Sequence, residues 1–246
     1  MIAVLVIAGT DSSGGAGLTR DVATLAHFGV DARCAVTAVT AQSPSGVALA
    51  HVLPPDAVRA QLSTALAAGW VGAIKIGMLG TAATVAAVAA GLSAAGAIPL
   101  VLDPVLAASA GGELLDAAGR RALLAQLLPR ATLVTPNIPE AATLLGTELA
   151  RSPDEQIAQA RALCELGASA VLLKGGHAQG PAAVDCLATR AGAVHTFSAP
   201  RSAAQRRGTG CTLASGVAAG LAVGLPLVAA CERAKRHVTE LLRASP

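Results

Sequence analysis

The chain has no tyrosine, two phenylalanines and one tryptophan in 246 residues. So sparse a set (Phe28, Trp70, Phe197) excludes an aromatic platform for stacking single-stranded nucleic acid. Charge is also scarce, at 13% of residues with a net +3. The basic residues are scattered, apart from Arg201, Arg206 and Arg207, and Arg233, Lys235 and Arg236. That balance suits a small pocket for a phosphorylated ligand better than a long polyanion. Five cysteines (Cys34, Cys164, Cys186, Cys211, Cys231) are odd in number and widely spaced, with no CxxC. They make neither a disulfide framework nor a zinc site, and a reducing cytoplasm is the expected compartment.

Two uncharged stretches, Thr81 to Leu102 and Thr212 to Cys231, reach membrane-spanning length. The first is broken by Gly91, Ser93, Gly96 and Pro99, and the second by Gly216, Gly220, Gly224 and Pro226. Both read as buried parts of a large fold. The opening MIAVLVIAGT lacks a basic lead and runs into a glycine loop, so it reads as a first strand and not as a signal peptide.

What is abundant is apolar and small. Hydrophobic residues make up 53% of the chain, and 59 residues are alanine. This composition excludes intrinsic disorder. It also argues against an all-β sandwich, since alanine favours helices and is depleted from strands. Short apolar runs at Ile2 to Ala8, Arg33 to Val39, Ala73 to Ile76, Leu100 to Asp103, Thr132 to Thr135 and Ala170 to Lys174 predict strands. Ala183 to Thr189 and Val194 to Ser198 read as a strand pair. Between them, helices are predicted at 18–28, 55–68, 82–92, 112–128, 138–145 and 153–166, with two more at 211–222 and 227–243. The alternation predicts a mostly parallel sheet with helices on both faces, in one domain spanning 1–246. In such sheets ligands bind beyond the carboxyl ends of the strands. Here those ends carry Gly9-Thr10-Asp11, Asp103, Asn137 and Lys174, with the loop before Cys211 nearby.

Four groups carry chemistry. Gly9 to Gly17 is a glycine-rich loop between a strand and a helix, where backbone N–H groups can approach a ligand. It is not a Walker A loop, because no Gly-Lys-Ser/Thr follows. Lys75 to Gly80 sets Met78 between glycines at a strand exit, as pocket wall or ordinary core. Asp103, Asn137 and Glu140 could furnish or orient the few protein oxygens that Mg²⁺ takes, or serve as helix caps and turns. Gly208-Thr209-Gly210-Cys211-Thr212 opens a helix whose first N–H groups form an anion hole. Cys211, at that positive end, is expected to have a lowered pKa and to take a proton from an attacking hydroxyl.

Together these motifs resemble the hydroxymethylpyrimidine/phosphomethylpyrimidine kinase family of thiamine biosynthesis, within the ribokinase-like superfamily. The matching segments are AGTDSSGGAGLTRD at 8–21, TAVTAQ at 37–42, VGAIKIGMLG at 71–80, LDPV at 102–105, LVTPNIPEA at 133–141, VLLKGGH at 171–177, FSAPR at 197–201 and GTGCT at 208–212. The resemblance implies a ribokinase-like three-layer α/β/α fold and phosphoryl transfer from MgATP to a pyrimidine hydroxymethyl group, then to its monophosphate. It implies a pyrimidine pocket at Gly9, Asp21, Gln42, Met78 and Val105. Cys211 matches the proposed base, and Gly208, Thr209 and Gly210 the hole for the transferring group. Lys174 and Lys235 match positions near the nucleotide phosphates, with Thr209 beside them. Asp103, Asn137 and Glu140 match the magnesium-associated region. A homodimer is expected, with neither nucleic acid nor membrane as partner.

The chain departs from the family pattern at three places. Gln205-Arg206-Arg207 stands where Asn-Thr-His usually precedes GTGC. Ser43-Pro44 replaces an Asn after TAQ. Ala108-Ser109-Ala110-Gly111 lacks the usual Lys-Ser-Gly. A pyridoxal or pyridoxine kinase, or a pyrimidine- or nucleotide-binding homologue without turnover, are the competing readings.

Overall fold

A computed structural model of the protein describes residues 2–43, 45–93, 95–108, 111–176, 182–202 and 206–244. Pro44, Ser109, Ala110 and Gln205, which the sequence singled out, lie outside the described residues. The frame is a nine-stranded sheet. Its strands are β1 (Ala3–Asp11), β2 (Asp31–Ser43), β3 (Gly46–Val52), β4 (Val71–Ile76), β5 (Leu100–Leu102), β6 (Leu133–Val134), β7 (Ala170–Leu173), β8 (Ala182–Thr189) and β9 (Val194–Pro200). They lie in the order β3-β2-β1-β4-β5-β6-β7-β8-β9. The six strands from β2 to β7 in this order run parallel, and β3, β8 and β9 are antiparallel additions at the two edges.

Strands covered on both faces are apolar throughout, as Val4, Leu5, Val6 and Ile7 are, each without exposed surface. Successive side chains point to opposite faces, and each face builds its own core. Leu5, Ile7, Ile74 and Ile76 pack against α2 (Pro55–Ala67), α3 (Ala82–Gly91), α4 (Ala117–Gln126), α5 (Ile138–Leu145) and α6 (Pro153–Glu165). Val4, Val6, Ala73 and Val101 pack against α1 (Gly17–His27), α7 (Thr209–Ala222) and α8 (Leu227–Arg243). This is the three-layer α/β/α arrangement expected from the alternation. Both uncharged stretches divide as their glycines and prolines suggest: the first into α3 and β5, the second into α7 and the start of α8. Among the described residues no helix is long and apolar enough to cross a membrane.

Several elements differ from the sequence-based expectation; β2, for one, runs from Asp31 to Ser43 and not from Arg33 to Val39. β1 continues through Gly9 to Asp11, because a bulge between Ala8 and Thr10 lets the strand rejoin β2 at Val39 and Thr40. β3 was not foreseen. It is an edge strand with Leu49 61% exposed, so it carries no buried alternation to read. α4 begins only at Ala117, where Asp116 accepts from the Gly119 N–H and caps the helix.

Candidate active site

The start of α7 is the centre of the site. Gly208 caps it at φ 75°, in the left-handed region that glycine enters without steric cost. Gly208 itself offers no side chain to cap this end. The first-turn N–H groups of Thr209, Gly210 and Cys211 are therefore directed outward, where the helix dipole favours an anion. A side chain at Gly210 would stand 3.2 Å from Lys174 Nζ and 3.8 Å from Asp103 Oδ2. The absence of one is what lets the helix end approach these two charges.

Lys174 gathers the acidic residues. Its Nζ donates to Asp103 Oδ1 at 2.9 Å and lies 3.9 Å from Glu140 Oε2. Thr135 Oγ1 donates to the same Asp103 oxygen at 3.2 Å. Burial opposes the charge on Asp103, but Lys174 and Lys75 outweigh it and hold the carboxyl below the usual range. At Glu140 burial prevails, reinforced by Asp103 and opposed by Lys174, and its pKa is pushed up to about 7. Asn137 and Glu140 form a capping box at the start of α5: Asn137 Oδ1 accepts from the Glu140 N–H at 2.8 Å, and Glu140 Oε2 from the Asn137 N–H at 2.7 Å. The side-chain oxygen of Asn137 is thus spent on the helix cap. Asp103 and Glu140, on either side of Lys174, are the carboxylates left to face a cation.

Cys211 requires a correction. Its position at the helix start led us to expect a lowered pKa, but the structure pushes it up to about 11. Burial is the main cause. Lys75 pulls the other way, Asp21 and Asp103 push it up further, and a hydrogen bond from the Gly17 N–H lowers it. The resting group is a neutral thiol. Behind it lies a fully buried knot in which Lys75 Nζ donates to Asp21 Oδ2 at 2.8 Å and Ser215 Oγ to Asp21 Oδ1 at 2.7 Å. Asp21, expected to read the edge of a pyrimidine, has no exposed surface and both oxygens occupied. The signal for this knot was available in the sequence: a lysine inside the apolar run VGAIKIGM must be paired if it is buried.

The chain holds three lysines, and each pairs with a buried carboxylate. Lys235, expected near the nucleotide phosphates, donates to Asp185 Oδ2 at 2.8 Å. Asp185 Oδ1 accepts from the Gly175 N–H at 2.9 Å, so the pair fixes the backbone just after Lys174. Lys235 therefore supports the site from behind, through Asp185.

On the other side, Gly9 and Met78 meet. A side chain at position 9 would stand 2.9 Å from the Met78 sulfur. Met78 is held by Thr37 Oγ1, which donates to its carbonyl at 2.6 Å. Gln42, at the end of β2, is tied to the glycine-rich loop: its N–H donates to Ser12 Oγ at 2.9 Å, and that hydroxyl donates to the Gln42 carbonyl at 3.1 Å. Val105 is half-buried two residues past Asp103. Arg207 was missed as an internal contact. It pairs with Asp11 at 2.8 Å.

Comparisons with known proteins bear on the family and the fold. The phosphomethylpyrimidine kinase family model matches residues 11–246. A hydroxymethylpyrimidine/phosphomethylpyrimidine kinase from Rhizobium meliloti is 39% identical over 98% of this chain and 90% of its own length. A thiamine biosynthesis bifunctional protein from Geobacter sulfurreducens is 43% identical over 98% of this chain, which spans about half (49%) of that relative. The pyridoxal kinase of Staphylococcus aureus, solved with pyridoxal, superposes with a TM-score of 0.91 at 30% identity, covering 99% of this chain and 88% of that one.

Proposed function

The chain belongs to the phosphomethylpyrimidine kinase family, and we propose that it transfers the γ-phosphoryl group of ATP to 4-amino-5-hydroxymethyl-2-methylpyrimidine and then to its monophosphate, in thiamine biosynthesis. The observation that carries this reading is the uncapped start of α7, set against Lys174 and Asp103 on one side and the glycine-rich loop on the other. Such a site holds a transferring phosphoryl group by backbone N–H groups and a fixed cation, and catalysis comes mainly from positioning and charge stabilisation.

In this reading Gly9, Met78 and Val105 shape the pocket for the ring, and Gln42 reads its edge. Thr209, Gly210 and Cys211 hold the transferring group through their N–H groups, and Lys174 neutralises phosphate charge. Cys211 takes the hydroxyl proton only as its thiolate, so the resting thiol first releases its own proton to solvent, a step that the Lys75 charge assists. Asp21 and Lys235 act from behind, through Lys75 and Asp185. Asp103 and Glu140 fit a Mg²⁺ ion that keeps most of its waters, since Asp103 Oδ2 lies on the Gly210 side while Oδ1 holds Lys174. Bound there, the ion would offset charge on the phosphates. The whole of 1–246 works as one kinase domain in this reading, as a cytoplasmic homodimer.

ADP release with MgATP tests the proposal, comparing the hydroxymethylpyrimidine, its monophosphate, pyridoxal and pyridoxine. Turnover of both pyrimidines supports it. Turnover of pyridoxal alone moves the assignment to the vitamin B6 kinases, whose S. aureus member shares the fold. Ligand binding without ADP release makes the chain a binding protein.

A further inference from the structure

Two segments far apart in the chain form the mouth of the site, and one side chain joins them. Asp11 ends β1, with its carboxylate 2% exposed. Its Oδ1 accepts from the Ser13 N–H at 2.9 Å and the Ser13 hydroxyl at 2.8 Å. Its Oδ2 accepts from Arg207 Nη2 at 2.8 Å, and Arg207 Nη1 donates to Ser13 Oγ at 3.0 Å. The guanidinium thus grips both ends of a turn 196 and 194 residues away. The backbones are as close: a side chain at Gly208 would collide with the Gly15 carbonyl oxygen. The Gly17 N–H completes the contact at Cys211. Arg207 also keeps a buried Nε without a partner among the described residues, a cost the two-sided grip offsets.

We propose that Arg207 is a positioning residue that latches the glycine-rich loop onto the first turn of α7. The latch sets the pyrimidine side of the site in one register with the anion hole. Asp11 next to the guanidinium leaves its charge already neutralised, so its role is to hold the loop and not to bind a second phosphate. An arginine suits this role because its planar fork reaches two acceptors. The activity readout rests on the kinase reading above, whereas the exchange readout does not.

The test uses the full chain with Arg207→Gln, Arg207→Lys, Asp11→Asn and the Asp11→Asn/Arg207→Gln double variant. In ligand-free protein, Arg207→Gln is expected to speed amide exchange in residues 12–17 by about tenfold or more, the scale of one charge-assisted hydrogen bond. The KM for the hydroxymethylpyrimidine rises by a similar factor, while ADP affinity changes by less than about twofold, within ordinary surface effects. Arg207→Lys recovers only part of both, since it keeps the pair with Asp11 but loses the second arm to Ser13. The double variant loses less than the product of the two single losses, because the partners share one interaction. Unchanged loop exchange in a folded Arg207→Gln protein would overturn the latch, as would multiplicative losses in the double variant. A defect confined to the phosphorylated pyrimidine would overturn it too, making the guanidinium a phosphate ligand. Should the wild type phosphorylate neither pyrimidine, the kinase reading fails and loop exchange still decides the latch.

Discussion

Lys75 and Asp21 face each other at 2.8 Å with neither side chain exposed, joining β4 to α1 across 54 residues of sequence. Ser215 brings α7 into the same contact. Burial works against the charge on Lys75, but Asp21 outweighs it and keeps the ammonium above the ordinary lysine range. The cation then acts on the Cys211 thiol in front of it. A structural ion pair thereby has an electrostatic consequence at the candidate proton acceptor.

Breaking that pair from one side should be costly. Asp21→Asn or Lys75→Met is expected to lower unfolding free energy by about 3–5 kcal/mol, because each leaves a buried charge unpaired. The double variant should lose less than the sum of the two. Denaturant unfolding measures this, and additive losses would mean that the two groups do not act as a pair.

Cys211→Ala should lower turnover by about 10²–10⁴-fold, the usual worth of a positioned proton acceptor, with ADP affinity retained. Comparable losses in turnover and ADP affinity would assign Cys211 a structural role.

The raised thiol pKa also gives a pH dependence. A thiolate with a pKa of about 11 forms in roughly one molecule in 10⁴ at pH 7. Alkylation of Cys211 in the ligand-free protein, followed by mass spectrometry of its peptide, should therefore be slow at neutral pH and rise toward pH 11. The linkage has the same sign: the neutral thiol's contribution to stability is complete below the ordinary value of 9.0 and is lost as pH rises through about 11. A midpoint below 9 would restore the expectation of an activated thiolate.

Glu140 is predicted to gain its charge late. Its folded pKa of about 7 exceeds the ordinary 4.5, because burial and then Asp103 disfavour the charge against the pull of Lys174. The stability it contributes is full below pH 4.5 and lost as pH rises through 7. Glu140→Gln should flatten the loss of ligand-free stability across that window. Unfolding curves from pH 5 to 8 check this, and an unchanged slope would remove Glu140 as its source.

Gln42→Ala should raise the KM for the pyrimidine by about tenfold, as expected for losing a hydrogen bond to a ring edge, with little change for ATP. Steady-state kinetics in each substrate separate the two effects. A pyrimidine KM that stays put would take Gln42 out of the pocket.

Much of the layout was legible along the chain. Apolar runs alternating with alanine-rich segments dictate buried parallel strands and covering helices, and α5 and α8 start and stop where their residues indicate. The strand-end location of Asp103, Asn137 and Lys174 follows from that alternation, because a parallel sheet directs all its carboxyl ends one way. The glycines of Gly208-Thr209-Gly210 announce an uncapped helix start, since only they allow the turn and the close approach. Local chemistry decides such features, and local chemistry is what a sequence displays.

Partnership was decided elsewhere. Nothing near Asp21 in sequence indicates that Lys75 and Ser215 will occupy both its oxygens, or that Lys235 will pair with Asp185. Arg207 looked like part of a surface charge cluster until the fold carried Asp11 to it across 196 residues. The protonation of Cys211 turned on the same kind of fact. A helix start by itself lowers a thiol pKa, but burial between α7 and the glycine-rich loop raises it by more. Which elements form, and which of their ends are polar, follows from residue order alone. Which charges neutralise one another, and which groups water can reach, follows from packing, because desolvation and pairing depend on neighbours that packing brings together.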